Sequence, residues 1–504
     1  MCNSTCLAIS LTVLLSLYVL CTMGVWIGSI VFLAALPFGP VATIVFVLTA
    51  IVLVLLIAAC AVASVSIVTK TRIFLPPFVV ISVLTILFVS VIICFGLVIS
   101  YAFSPSISPN NGLSFEVRGS ITSSEASFVI RNRDFSNVRI DYGTATTPPV
   151  SILESNDFTA TIKITGLTPN TLYTYSFIYD NGTETSSSRT FTTLLAPTQQ
   201  GTFTFTISSC IFIAPYSSPN SVKDLVETKP DFHIHLGDYI YADIPYLLGE
   251  EVDDYRRVYR KFLKNDVVRS LAENIQTFHM YDDHEIKNNW DQKEEAPYPS
   301  AMKAWTEYAG NGNPQPLLSD VYYYTFEVSE VGYFMLDTKR YRSLVDETDG
   351  PSKTMLGSVQ KAALFNWLEN DPSPIKILMS GPPFSPWNGG DTWGAYRTEL
   401  NEVLDFISNN NISVVLFSAD RHFAAVWELR PGLFEFSVSP VDVLYGDFGD
   451  DPPADPGDGT KQLFLDRSGN FFGKITASTD ASPPTIKVDI QKGSETVHTQ
   501  TVTF

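Results

Sequence analysis

Residues 280–290 read MYDDHEIKNNW: Asp282, Asp283, His284 and Glu285 stand side by side, with Asn288 and Asn289 close behind. Such a run offers no apolar period to a helix or a strand and supplies repulsive charge. A solvated loop would tolerate it, but Met280 and Trp290 on either side point to a segment anchored in a core.

Similar groups recur at one kind of place. Cys210 ends FTFTISSC (203–210), Asp238 and Tyr241 follow in DFHIHLGDYIY (231–241), and Asp420 and His422 close ISVVLFSADRH (412–422). Each stands just after an apolar run that reads as a strand. In open α/β sheets ligands bind outside the carboxyl ends of the strands. Loops that bring Cys, Asp, Tyr, His and Asn to one such edge are what a metal centre requires. Chance explains one loop of this kind; four make a merely solvated surface a poor account.

The elements that must position these groups are strands alternating with helices. After a linker at 196–201, runs at 203–210, 231–241, 331–338, 375–383 and 412–422 alternate with helical segments near 219–229 and 251–273, an α/β pattern with a largely buried sheet. Ahead of it, from about 113 to 195, short alternating runs separated by turn residues predict a small β-sandwich. Its segment from Leu167 through Tyr173 to Tyr175 resembles the corner of fibronectin type III domains, where a tyrosine hydroxyl pins a turn.

The first hundred residues differ from the rest. Before Glu116 the only ionised side chains are Lys70 and Arg72, and residues 7–36, 41–68 and 73–100 are each long enough to cross a bilayer. Three spans are expected, with Lys70 and Arg72 on the cytoplasmic side and everything after about residue 101 extracellular or lumenal. The sequons at Asn181 and Asn411 agree with glycosylation on that side. Five of the six cysteines lie in or beside these stretches, so Cys210 stands alone later in the chain: buried filler, or a protected ligand. The formal net charge is −19, and leaving out Lys70 and Arg72 makes it −21 for the remainder. That balance argues against nucleic-acid binding through a basic surface, whereas it suits bound cations or simply solubility. The expected domains are 1–101, 102–196 and 197–504.

The strings ISSC, HLGDYIYAD, YDDHEIKNNW, FMLDTKRYRS, TMLGSVQKAALFNWL, LMSGPPFSPW and VVLFSADRH occur in this order. In that order they resemble PhoD-type alkaline phosphatases and phosphodiesterases, members of the calcineurin-like metallophosphatases. The resemblance covers about residues 201–504 and extends to the sandwich ahead of them. It implies a metallophosphatase β-sandwich core flanked by helices, with Cys210, Asp238, Tyr241 and Asp420 as ligands of a ferric ion. Asp238 would bridge to a divalent cation, calcium in the family's best-known form, held also by Asp283, Asn288 (with Asn289 as an alternative) and His422. Zn²⁺ and Mn²⁺ are lesser substitutes. His284 would face the phosphate and, with Asp283, carry the catalysis. Ala419 and Arg421 depart from the family's usual residues beside Asp420 without removing a ligand.

The donor chemistry agrees. Ferric iron prefers anionic oxygen, and metal binding draws a tyrosine pKa down from about 10. Carboxylates and amides suit calcium. Packing on the core remains the alternative for Tyr241 and better describes Tyr239. Arg342, with Lys339 and Arg340, is expected either to clamp a phosphate or to form a salt-bridged loop. Trp393, Tyr396 and Arg397 could line a cleft or belong to the core, while His233, His235, His279 and His498 read as structural. The implied function is a membrane-anchored hydrolase of phosphomonoesters or phosphodiesters in which a metal-bound hydroxide attacks phosphorus. A non-enzymatic adhesion protein on the same scaffold is the competing reading. The loop at 442–461, rich in Asp, Pro and Gly, reads as a lid or as a solvated excursion.

Overall fold

Two cores, one after the other in the chain, organise the described residues. The structure, a computed structural model, describes residues 113–143, 145–212, 220–243, 250–385, 390–443 and 459–504. All of them belong to one compact unit.

The first core is a small sandwich of short strands: β1 (Phe115–Ile121), β2 (Glu125–Arg131), β3 (Asn137–Asp141), β4 (Val150–Ser151), β5 (Thr159–Thr165), β6 (Leu172–Tyr179), β7 (Glu184–Thr185) and β8 (Arg189–Thr192). One sheet runs β1-β2-β5; the other runs β4-β3-β6-β7, with β8 also on β6. Alternation does the sorting: β3 buries every second residue, so Val138 and Ile140 face Phe128, Ile162 and Phe177 of the shared interior. The Tyr173 hydroxyl accepts from the Thr168 backbone N–H at 2.9 Å and so pins the turn into β6. The fibronectin likeness itself rests on this turn alone.

The second core lies between two larger sheets. The first is built from β9 (Thr202–Ser208), β10 (Phe232–His235), β11 (Thr277–His279), β19 (Phe472–Ser478), β20 (Thr485–Lys492) and β21 (Glu495–Thr503), in the order β11-β10-β9-β19-β20-β21. The second holds β12 (Tyr324–Val328), β13 (Val331–Met335), β14 (Ile375–Met379), β15 (Val414–Ser418), β16 (Ala424–Arg430), β17 (Leu433–Val438) and β18 (Lys461–Asp466), in the order β12-β13-β14-β15-β17-β16-β18. Phe205, Ile234 and Phe278 of one sheet and Tyr333, Ile377 and Phe417 of the other share one buried cluster. The central strands β13, β14 and β15 read as near-continuous apolar runs because they are buried on both faces. Helices α1 (Asn220–Glu227), α2 (Val252–Leu263), α3 (Asp266–Asn274) and α4 (Tyr298–Tyr308) build a second cluster that also takes in Phe115, Val117 and Val129 of the small sandwich. Helices α5 (Gly357–Asn370) and α6 (Arg397–Asn409) cover the second sheet.

Within each sheet the strands that matter run parallel and end in register. Ser208 pairs with His235, and His235 with His279. Met335 pairs with Met379, and Met379 with Phe417. The residues that follow, 209–212, 236–243, 280–290, 337–342 and 418–422, therefore leave the two sheets at carboxyl ends, as the sequence reading expected.

One expectation is corrected. Among the described residues no helix is long and apolar enough to cross a membrane. The stretches expected to span, 7–36, 41–68 and 73–100, lie outside the described residues. The multi-pass topology and the extracellular or lumenal placement of the catalytic part are withdrawn on that finding. The sequon argument falls with them. Most of the loop expected as a lid, residues 444–458, also lies outside the described residues.

Candidate metal centre

Three of the expected ligands sit in the same strained backbone conformation. Cys210, Asp238 and Asp420 have φ of 57°, 55° and 61°, a left-handed region that L residues other than Gly, Asn and Asp seldom adopt. For Cys210, which is none of these, the conformation costs on the order of 1–3 kcal/mol and persists where the surroundings over-determine it. Here the surroundings are hydrogen bonds between loops: Cys210 N–H donates to the Gly237 carbonyl at 3.2 Å and Ile211 N–H to the Asp238 carbonyl at 2.9 Å. Ala419 N–H donates to the Gly381 carbonyl at 2.7 Å. Gly237, at φ 108°, leaves room for Asp282, whose Cβ would stand 2.5 Å from a Cβ placed there.

The side chains converge. The Cys210 thiol lies 3.2 Å from Oδ2 of Asp238, and the Ser209 and Ser439 hydroxyls donate to its sulfur at 3.3 and 3.2 Å. The Tyr241 hydroxyl is 3.2 Å from Nε2 of His422, and its ring lies 4.1 Å, centre to centre, from that of His284. Ligand-capable atoms of Asp238, Asp283 and His284 fall within 4.8 Å of one another, and so do those of Asp282, Asp283 and Asp420. Four carboxylate oxygens of these groups, both of Asp282, Oδ1 of Asp283 and Oδ2 of Asp420, are buried with no hydrogen-bond partner. Such orphaned acceptors are rare in a folded interior.

Burial raises the price of every charge here. It pushes the Asp238 carboxyl well up, and the carboxylates of Asp283, Glu285 and Asp420 add to the rise. Burial, then Asp283 and Asp391, pushes Asp420 up to about 7. Burial and then Asp238 push the Cys210 thiol up, and burial, Cys210 and Asp238 do the same to the Tyr241 phenol. Burial opposes the ionised form of Asp283 as well, yet Lys339 and His284 hold its carboxyl below the usual range. A bound cation would reverse these shifts by stabilising thiolate, phenolate and carboxylate together.

Glu285 organises the loops from behind. Fully buried, it accepts from the backbone N–H groups of Asp238 (3.0 Å), Tyr239 (2.5 Å), Ile240 (3.4 Å) and Asp282 (2.7 Å). The loops after β10 and β11 thus share one carboxylate. Asp243, which the sequence reading passed over, is 2.7 Å from Nδ1 of His284 and accepts from the Asn288 N–H at 2.8 Å. Its only trace in the sequence is its place in HLGDYIYAD, because its partner lies 41 residues away.

Other expected residues are placed differently. Asn288 is exposed and enters through its backbone; Asn289 donates its N–H to Oδ2 of Asp283. Arg342 is fully buried, with one arm on Asp391 and the other on the Trp290 carbonyl. The alternative weighed for it, a salt-bridged loop, is the arrangement present. Arg340 pairs with Glu294 and Asp320. Trp393 and Tyr396 are core, their polar atoms on Ser380 and on the Ser343 carbonyl. His233, His235 and His279 form a buried group around Ser208 and Tyr239.

Two facing sheets covered by helices, with acidic loops converging at carboxyl ends, define a metallophosphatase-type architecture. Residues 205–461, just over half the chain, match PhoD-like phosphatase, and the chain belongs to that family. Alkaline phosphatase D of Bacillus subtilis (strain 168) is 25% identical over 309 residues, 52% of this chain and 52% of that protein. The chain therefore spans about half the length of that curated relative. The solved structure of PhoD superposes with a TM-score of 0.62 at 19% identity, covering 77% of this chain and 88% of that one. Purple acid phosphatase PPD1 from yellow lupin (Lupinus luteus) seeds gives 0.56 at 13% identity, covering 77% and 74%. Both structures share the fold.

Proposed function

We propose that this chain is a metal-dependent hydrolase of phosphate esters, a monoesterase, a diesterase or both. The observation that carries this reading is the set of orphaned buried oxygens on Asp282, Asp283 and Asp420, whose group shares Asp283 with a second group made by Asp238 and His284. In the arrangement we favour, Cys210, Asp238, Tyr241 and Asp420 hold a ferric ion. Asp238, Asp283, Asn288 and His422 hold one or two calcium ions, with Zn²⁺ or Mn²⁺ as lesser substitutes. Such ions, when bound, polarise a phosphoryl oxygen and lower the pKa of water so that it can attack in line.

The chain's own residues do the rest. The hydrogen bond that the Asp243 carboxylate accepts occupies Nδ1 of His284, which leaves Nε2 as the ring nitrogen available to a phosphate or leaving-group oxygen. The Tyr241 ring lies against that imidazole, 4.1 Å between centres and tilted by 30°, and limits its movement. Glu285 keeps the backbone of Asp238 and Asp282 in place, and burial of the cluster excludes bulk water, which strengthens each electrostatic contact. The small sandwich, proposed as a separate domain up to about residue 196, supplies no group to the cluster. The test is hydrolysis of p-nitrophenyl phosphate and bis-p-nitrophenyl phosphate by the wild-type protein and by Asp238→Asn. At least one substrate should be turned over by the wild type and neither by the variant. Equal rates, or no turnover by metal-supplemented wild type, would favour the scaffold reading.

A further inference from the structure

Two adjacent aspartates, Asp282 and Asp283, enter the acidic cluster together, and both come within 4.8 Å of Asp420. Geometry alone therefore offers either as a ligand. A buried cation distinguishes them. Lys339, fully buried in the loop after β13, puts its ammonium 2.9 Å from Oδ1 of Asp282 and 2.6 Å from Oδ2 of Asp391. The other oxygen of Asp391 receives Arg342, so Asp391 is saturated by two cations and fixes the ammonium. Asp282 accepts no hydrogen bond on either oxygen and is neutralised by this ion pair. It is also packed tightly, since a Cβ on Gly381 would stand 2.8 Å from its carboxylate. Asp283 likewise keeps one buried oxygen with no partner, Oδ1, but its other oxygen is held by the Asn289 N–H rather than by an ammonium.

We infer that Lys339 is a positioning residue that withholds Asp282 from the metal ions and so leaves Asp283 as the ligand from this loop. An ammonium already in contact with Asp282 competes with any divalent ion for the same charge, and a buried pair broken on one side leaves an uncompensated charge. Lys339 thereby caps the negative charge presented to the ions and anchors the loop after β11 to the loop after β13. This inference rests on the reading of the cluster as a metal centre, and the test separates the two.

Metal content and calcium affinity are measured, by elemental analysis and titration calorimetry, for the wild type, Asp282→Asn, Asp283→Asn, Lys339→Met and Lys339→Met/Asp282→Asn. A wild type that binds no metal would defeat the metal-centre reading itself. If the wild type is loaded, Asp282→Asn should keep its full metal content while Asp283→Asn loses at least one ion. Lys339→Met should bind calcium about tenfold more tightly, because a neighbouring positive charge is gone, and adding Asp282→Asn should cancel that gain. A merely structural lysine would move stability and leave calcium affinity unchanged in the folded variant, which would overturn the inference. Should Lys339→Met fail to fold, Asp282→Asn still decides: loss of an ion there makes Asp282 a ligand and contradicts the assignment.

Discussion

Asp243 holds His284: its Oδ1 lies 2.7 Å from Nδ1 of the imidazole, and its Oδ2 accepts from the Asn288 N–H at 2.8 Å. One carboxylate thus ties the orientation of the His284 ring to the backbone of the asparagine segment. Burial works against the charged imidazole, but Asp283, Asp238 and Asp243 together hold its pKa well above the ordinary value. Asp243→Asn should fold normally and lower kcat by roughly 10–100-fold, the usual cost of losing a partner that orients a functional histidine. Steady-state kinetics beside a circular-dichroism spectrum checks it. An unchanged kcat would mean that the packing of Tyr241 against the ring is enough to orient it.

Glu285 presents a second test. Four backbone N–H groups converge on its carboxylate, and hydrogen bonds to a charged acceptor are worth about 1.5–3 kcal/mol each when made. Glu285→Ala leaves those donors buried without a partner. It should lower unfolding free energy by about 3 kcal/mol or more and reduce metal content, because Asp238 loses the bond that holds its backbone. Chemical denaturation together with elemental analysis reads both effects.

The buried histidines set an acid limit. Burial holds His233 and His279 down to about 3, from 6.5, and drives His235 in the same direction. The folded state keeps them neutral, while the unfolded chain takes up protons near pH 6.5. Stability from this source is therefore complete above pH 6.5 and is lost progressively as pH falls toward 3. The limiting loss is about 1.4 kcal/mol per pH unit for each histidine. Melting temperatures between pH 7 and 4.5 should fall less steeply for His279→Phe than for the wild type. Parallel slopes would show that His279 is not one of the groups responsible.

Much of this architecture was legible because buried strands leave a strong mark: the run before Asp420 is apolar almost throughout, those before Cys210 and Asp238 alternate Phe and Ile with Thr, Ser or His, and each stops where the metal-type groups begin. The convergence of those groups follows from parallel pairing, which the alternation of strands and helices announces. What stayed hidden are relations between distant residues. Asp243 carries no signal until His284 is folded onto it, and Lys339, Arg340 and Arg342 look alike in sequence although one meets Asp282, one the surface carboxylates and one Asp391. Nothing in the sequence sets Glu285 apart from its acidic neighbours; only the fold shows four N–H groups around it. Trp393 and Tyr396, equally suited to a cleft, went to the core because their polar atoms found partners there. Hydropathy led to a topology that no described helix supports.

The central claim is that Cys210, Asp238, Tyr241 and Asp420 hold a ferric ion beside a divalent one, and elemental analysis with a visible spectrum tests it most directly. Purified protein should contain iron and be coloured by a phenolate-to-iron charge-transfer band. Tyr241→Phe should lose most of that band and keep its fold, while Tyr239→Phe, whose ring packs on Phe262 and His279, should change neither colour nor metal content. Colourless protein carrying zinc alone, or a band that survives Tyr241→Phe and disappears in Tyr239→Phe, would contradict the assignment.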